Sequence, residues 1–155
     1  MQIENLPPLS DFPHRVPVEV RFNDIDILGH LNNTVYFSFY DTGKAYYFQD
    51  IVDWEINWKT VETVVANVNC TYIKPIFFGM NLVVGTRCEE IHDRSFKILQ
   101  VIAEAESGEI KSACESVMVS FDPATQRSAP MPERWRRALY RSIAQNPPMK
   151  PITLQ

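Results

Sequence analysis

Ten of the eleven prolines in this chain lie at or before Pro17 or at or after Pro123, leaving Pro75 as the only one in the long span between. Proline removes a backbone donor and disrupts both helix interiors and sheet ladders, so that middle span is where regular structure can run uninterrupted. Two kinds of pattern fill it. "NNTVYFSFYDTGKAYYFQDI" predicts one long helix, with Asn32, Asn33 or Thr34 available to cap its first turn. Seven of the 18 aromatic residues fall between Tyr36 and Phe48, spread around much of its circumference, so the helix is expected to be deeply buried. Four other stretches, "VETVVANVNCTYI", "NLVVGTRCEEI", "FKILQVIAEAE" and "IKSACESVMVSF", are β-branched and alternating and predict strands. "VPVEVRF" alternates in the same way ahead of the helix and predicts a first strand.

The turn chemistry agrees with this order. "FFGMN" and "HDRS" suit connections between strands, and "ESGE" suits a hairpin. "VDWEINWKT" is expected to connect the long helix to the strands. "MPERWRRALYRSIA" sets Trp135, Ala138, Leu139, Ser142 and Ile143 at helical spacing and predicts an amphipathic helix over residues 131–144, followed by the tail "QNPPMKPITLQ". A strand, a long helix, then an antiparallel meander points to an α+β fold of the hotdog type, a long central helix wrapped by a curved antiparallel sheet whose other face can stay polar, although other helix-on-sheet folds share this order. The length of 155 residues fits a single domain over 1–155, with a core of about 16–122.

Charge and composition narrow the function. A net charge of -4 argues against a broad nucleic-acid surface, and the basic cluster "ERWRRALYR" is expected to be a solvated helix face. No apolar run approaches the roughly 20 residues of a membrane span. The start, "MQIENLPPLSDFPHR", has no basic region followed by an apolar one, so the expected location is cytoplasmic. Cys70, Cys88 and Cys114 are widely spaced and are expected to be buried thiols. His14, His30 and His92 lack zinc-site spacing, so no metal is expected.

"DIDILGHLNNT" places two carboxylates, a glycine, a histidine and two asparagines between the first strand and the aromatic helix. Free N–H groups and the positive end of the helix dipole favour developing negative charge at such a place, and a neighbouring carboxylate there can attack a carbonyl or activate water. The same composition also suits an Asx-turn followed by a helix cap, and local composition alone favours that simpler role.

"VRFNDIDILGHLNNTVYFSFYDTGKAYYF" resembles the hotdog-fold acyl-CoA thioesterases of the 4-hydroxybenzoyl-CoA thioesterase type, in which a strand leads into Asp-x-Asp, a short Gly-containing loop and an aromatic helix. The likeness continues through "CTYIKPIFFGMNLVVGT" and "DRSFKI" and covers most of residues 16–122. It implies that Asp26 is the catalytic acid, as nucleophile or general base, and that the Asn33 backbone N–H polarises the thioester carbonyl. His30 matches the histidine in the loop of plant acyl-carrier-protein thioesterases. Arg94, with Ser95 beside it, falls where some members contact coenzyme A phosphates. Gly29, Asn32 and Tyr36 complete the expected substrate-binding set, with Tyr36 as a pocket wall. Glu62 and Asp41 are candidate second carboxylates, although a strand end and a helix surface are the simpler roles for them. Asn67 and Asn69 form a polar pair on one strand face, suited to a substrate, a subunit boundary or solvent.

The expected activity is hydrolysis of an acyl thioester, acyl-CoA ahead of acyl-carrier protein, with no cofactor. A hydratase or dehydratase acting on a thioester, and a non-catalytic acyl-thioester binding protein, are the alternatives. The open edge of a hotdog sheet also predicts a homodimer or a dimer of dimers.

Overall fold

The computed structural model describes residues 3–52 and 62–147. The connecting segment expected from "VDWEINWKT", apart from Val52, and all but the first three residues of the expected tail lie outside them. The elements are β1 (His14–Val18), α1 (Asn33–Val52), β2 (Thr63–Tyr72), β3 (Leu82–Ile91), β4 (Ser95–Glu104), β5 (Ile110–Asp122), β6 (Arg127–Ser128) and α2 (Glu133–Ala144). The sheet runs β1-β3-β4-β5-β2, antiparallel throughout, and the short β6 pairs with β5. This is the hotdog architecture expected from the sequence.

The turns form where their residues allow. His92 N–H bonds to the Ser95 carbonyl at 2.8 Å across "HDRS". Gly108, at φ 73°, closes the β4–β5 hairpin, and Gly79, at φ 88°, serves the turn before β3. Both adopt the left-handed conformation in which a side chain would be strained.

α1 lies along the inner sheet face. Its first half packs Tyr36, Phe39 and Tyr40 against Val84, Ile102 and Cys114. Its second half packs Tyr47 and Phe48 against Phe96, Ile98, Met118 and the α2 residues Trp135 and Leu139. Gly43 marks the closest approach, since a Cβ there would stand 2.6 Å from Val84 Cγ1. Two polar contacts inside this layer cross between elements: Tyr40 donates to Ser112 Oγ at 2.7 Å, and the Gln100 amide donates to the Tyr40 carbonyl at 2.9 Å, while Gln100 Oε1 meets no partner among the described residues.

Three expectations need correction. β1 begins and ends earlier than "VPVEVRF" suggested, because its ladder stops at Val18 opposite Leu82, the first residue of β3. Beyond it the backbone turns into a 3-10 helix over Phe22–Asp24. The outer sheet face stays polar only in part: Lys97 and Glu90 pair across it at 2.9 Å, but Leu9 and Phe12, from the proline-rich start, cover Leu99, Val101 and Ala113. α1 is buried on one side only, since Phe37 and Tyr46 remain 40% and 50% exposed. The sheet of one chain wraps a single helix face, and the remaining aromatics look outward.

Candidate active site

The site begins with Asp24, whose carboxylate belongs to a residue only 2% exposed. It accepts the Arg21 N–H at 2.8 Å and the guanidinium at 2.9 Å, and its own carbonyl accepts the Asn32 N–H at 2.8 Å. The Arg21 hydrogen bond holds the Asp24 carboxyl below the usual carboxylate range, against the opposing effect of burial. Asp24 therefore ties the end of the first-strand segment to the start of α1. Because it sits in a 3-10 turn, it does not share a strand face with Asp26.

Asp26 opens a closed five-residue loop. Its N–H donates to the His30 carbonyl at 2.9 Å, its carbonyl accepts the Gly29 N–H at 3.0 Å, and Oδ1 accepts the Leu28 N–H at 2.8 Å. That last bond is an Asx-turn, so the simple structural role is present in one carboxylate oxygen. The other oxygen, Oδ2, has no hydrogen-bond partner among the described residues. Gly29, at φ 81°, supplies the left-handed turn. The His30 ring rests edge-on against Phe77, centroids 5.4 Å apart.

The loop delivers the chain to the helix start. Leu31 N–H is anchored on the Ile76 carbonyl at 2.8 Å. Asn32 is the cap: its Oδ1 accepts the Thr34 N–H at 3.0 Å and the Thr34 hydroxyl at 2.9 Å. Asn33 is the first helical residue, and its N–H meets no acceptor among the described residues. Its carbonyl accepts the Tyr72 hydroxyl at 3.2 Å, and the Tyr72 ring meets Tyr36 edge-on at 4.8 Å.

A cleft of about 260 Å³ opens here, lined by Asp26, Leu28, His30, Asn33, Tyr36, Tyr72 and the segment 73–75. Asp26, His30, Asn33 and Tyr36 are thus brought together, with Gly29 and Asn32 shaping the backbone around them. Tyr72 and Leu28 belong to the lining as well and were not singled out from the sequence. Tyr72 stands in the quoted "CTYIKP", but its partnership with Asn33 spans 39 residues and leaves no local signal.

Arg94 and Ser95 are not part of this cleft within one chain. Arg94 donates to the Ser128 carbonyl at 3.0 Å, and Ser95 lies opposite Val119, near the Thr63 end of β2. The cleft lies at the Tyr72 end of that ten-residue strand, so roughly 25–30 Å separates them. Glu62 is held by Arg134 and by the Trp135 indole at α2, and Asp41 pairs with Lys44 at 3.0 Å. Asn67 and Asn69 are exposed on β2. A larger cavity, about 520 Å³, lies between α1 and α2 and includes His14, bonded to Asp50 at 2.7 Å. It lacks the helix-start donor that makes the smaller cleft suited to an oxyanion.

Among solved structures, the chain is similar to a thioesterase from Thermus thermophilus complexed with coenzyme A and Zn. The two share 32% identity and a TM-score of 0.77, over 87% of this chain and 98% of that one. It is also similar to the PA5185 protein of Pseudomonas aeruginosa PAO1, at 25% identity and a TM-score of 0.79 over 88% and 95% of the two chains. A curated relative, the uncharacterized protein YsmA of Bacillus subtilis (strain 168), is 34% identical over 59 residues, which is 38% of this chain and 40% of that protein. No described helix is long and apolar enough to cross a membrane. The family model described as "Thioesterase-like superfamily" matches residues 20–139, and with most of the chain inside that match the protein belongs to the thioesterase-like superfamily.

Proposed function

We propose that this protein hydrolyses an acyl thioester, acyl-CoA in the first instance, at the cleft between the Asp26 loop and the start of α1. The observation that carries the reading is that Asp26 and Asn33, whose N–H meets no acceptor among the described residues, line one cleft at the positive end of a 20-residue helix. A thioester carbonyl placed there would develop its oxyanion against the Asn33 N–H, where the helix dipole adds to the stabilisation. Asp26 then acts by one of two routes. As a nucleophile it forms a mixed anhydride and expels the thiolate, and water hydrolyses the anhydride; as a general base it takes a proton from the water that attacks. His30, in the same lining, orients the loop or the water. Tyr36 and Tyr72 form an apolar wall for the acyl group. The complex of the Thermus relative with coenzyme A supports coenzyme A as the leaving group.

A homodimer completes this reading. β2 is a sheet edge whose second side has no partner strand among the described residues, and it exposes Val64, Val65 and Val68 at 36–46%. Such an edge favours pairing with a second copy. Antiparallel pairing of β2 with itself about a two-fold axis sets the Thr63 end of one copy beside the Tyr72 end of the other. Arg94 of the partner subunit would then approach the Asp26 cleft, which restores its expected role as a coenzyme A phosphate contact.

The test is thiol release from a panel of acyl-CoAs by the purified protein, followed together with the fate of the acyl chain. Release of thiol with free acid is the expected outcome. Hydration of an unsaturated acyl chain without thiol release would point instead to a hydratase, and binding with neither change to an acyl-thioester carrier.

A further inference from the structure

Cys70 on β2 and Cys114 on β5 stand directly opposite one another in the antiparallel ladder. Ile73 N–H, just past the Tyr72–Ser112 pair, donates to the carbonyl of Lys111 at 2.9 Å, and continuing the register by one step sets those two residues opposite as well. Hydrogen-bonded and non-hydrogen-bonded pairs alternate along such a ladder, so the Cys70–Cys114 pair, three steps away, is of the non-hydrogen-bonded kind. Its Cα atoms are then about 4.5 Å apart, inside the roughly 4.4–6.8 Å range that a disulfide spans. Both side chains belong to the core layer under α1, where Cys70 packs at its margin and Cys114 is buried.

From this geometry we propose that Cys70 and Cys114 form a redox modification site, closing to a cross-strand disulfide when the protein meets a small hydroperoxide. Cys70 is the half-buried, reachable member of the pair, and Cys114 is the resolving one. The Cys70 thiolate attacks the peroxide, forming an S–O bond as the O–O bond breaks, and hydroxide leaves as water after taking a proton. Cys114 then attacks the sulfenic sulfur, the S–S bond forms, and a second water departs with the Cys114 proton. Two thiols give up two electrons, and hydrogen peroxide is reduced to two waters.

The surroundings support this division of labour. The Cys70 thiol is lowered, first by the hydrogen bond from Cys114 and then by Ser112 and Tyr72, although burial opposes the shift. Ser112 Oγ lies 3.6 Å from the Cys70 sulfur. Cys88 is unlike them: it lies under the far half of α1, fully buried, and burial pushes its thiol up to about 12. Tyr72 follows Cys70 by two residues and faces Tyr36 across the cleft wall, so the crosslink would fasten the sheet edge beside the site. The proposal does not depend on thioester hydrolysis.

The test treats the reduced, full-length protein with hydrogen peroxide and reads intact mass and non-reducing peptide maps. The expected result is a monomer-mass loss of two hydrogens, with the Cys70 and Cys114 peptides joined and Cys88 still open to alkylation after unfolding; dithiothreitol restores the mass. Cys88→Ala should crosslink as before, and Cys70→Ala should leave Cys114 reduced. In Cys114→Ala, Cys70 should accumulate as a sulfenic acid that dimedone traps. Circular dichroism confirms that each variant is folded. A link through Cys88, a link only between chains, oxidation of Cys70 to sulfinic acid with Cys114 still reduced, or no change at all would overturn the proposal.

Discussion

Asp24 and Asp26 stand two residues apart and meet different surroundings, and that difference predicts how each responds to substitution. Asp24 is spent on structure, so Asp24→Ala should lower stability by about 1–3 kcal/mol, the range for losing buried hydrogen bonds to a charged group, read as a lower urea midpoint. Because Arg21 depresses the folded-state carboxyl, the contribution is fully present above the unfolded aspartate value of about 3.9 and is lost as pH falls through the lower folded value. The gap between wild type and Asp24→Ala should therefore close in acid. Asn33 allows a cleaner test of the backbone donor than most residues do. It occupies the first helical position, where proline is well tolerated, and Asn32 before it already serves as the cap. Asn33→Pro should keep the fold and reduce kcat by about 10²–10³-fold, the usual effect of deleting one oxyanion donor, whereas Asn33→Ala keeps the N–H and should stay near wild type. That Asp26, His30, Asn33 and Tyr36 lie close together was legible in the sequence, because one loop and one helix turn bring them to one cleft. Tyr72 was not, because only the sheet carries it to Asn33.

At the scale of elements, the long helix, the four later strands and α2 were readable because apolar periodicity and turn residues agreed. The misreadings share a cause, since each depended on what lay alongside. β1 ends where β3 offers no further partner, and Leu9 and Phe12 cover part of the outer sheet face from a proline-rich segment that carries no periodic signal. The closeness of α1 to β3 was equally hidden, and it makes a prediction. Alanine in place of Gly43 gains about 1 kcal/mol of helix propensity, but its Cβ would press on Val84 at 2.6 Å and on Gln100 at 3.0 Å. Both neighbours are fully buried, and overpacking of this kind costs about 1–3 kcal/mol. Gly43→Ala should therefore lower stability by about 1 kcal/mol net, measured by denaturant titration.

For the whole molecule, the account needs two copies. Sedimentation at micromolar concentration should show a dimer or a multiple of it, and a monomer would remove the proposed route for Arg94 to the cleft. Arg94→Ala should raise KM for acyl-CoA more than it lowers kcat, because a phosphate contact is made in ground and transition states alike. Mixing Asp26→Asn with Arg94→Ala subunits should restore low-KM turnover, since one site of each mixed dimer pairs an intact Asp26 with an intact Arg94. All of this presumes that the Asp26 carboxylate does the chemistry. The direct measurement is kcat of Asp26→Asn on a thioester that the parent protein hydrolyses well. Asparagine retains the side-chain oxygen that accepts the Leu28 N–H, so the loop should persist while the charge is lost. The account predicts a folded protein with kcat down by at least about 10²–10⁴-fold; turnover near that of the parent would contradict it and leave Asp26 with only its turn.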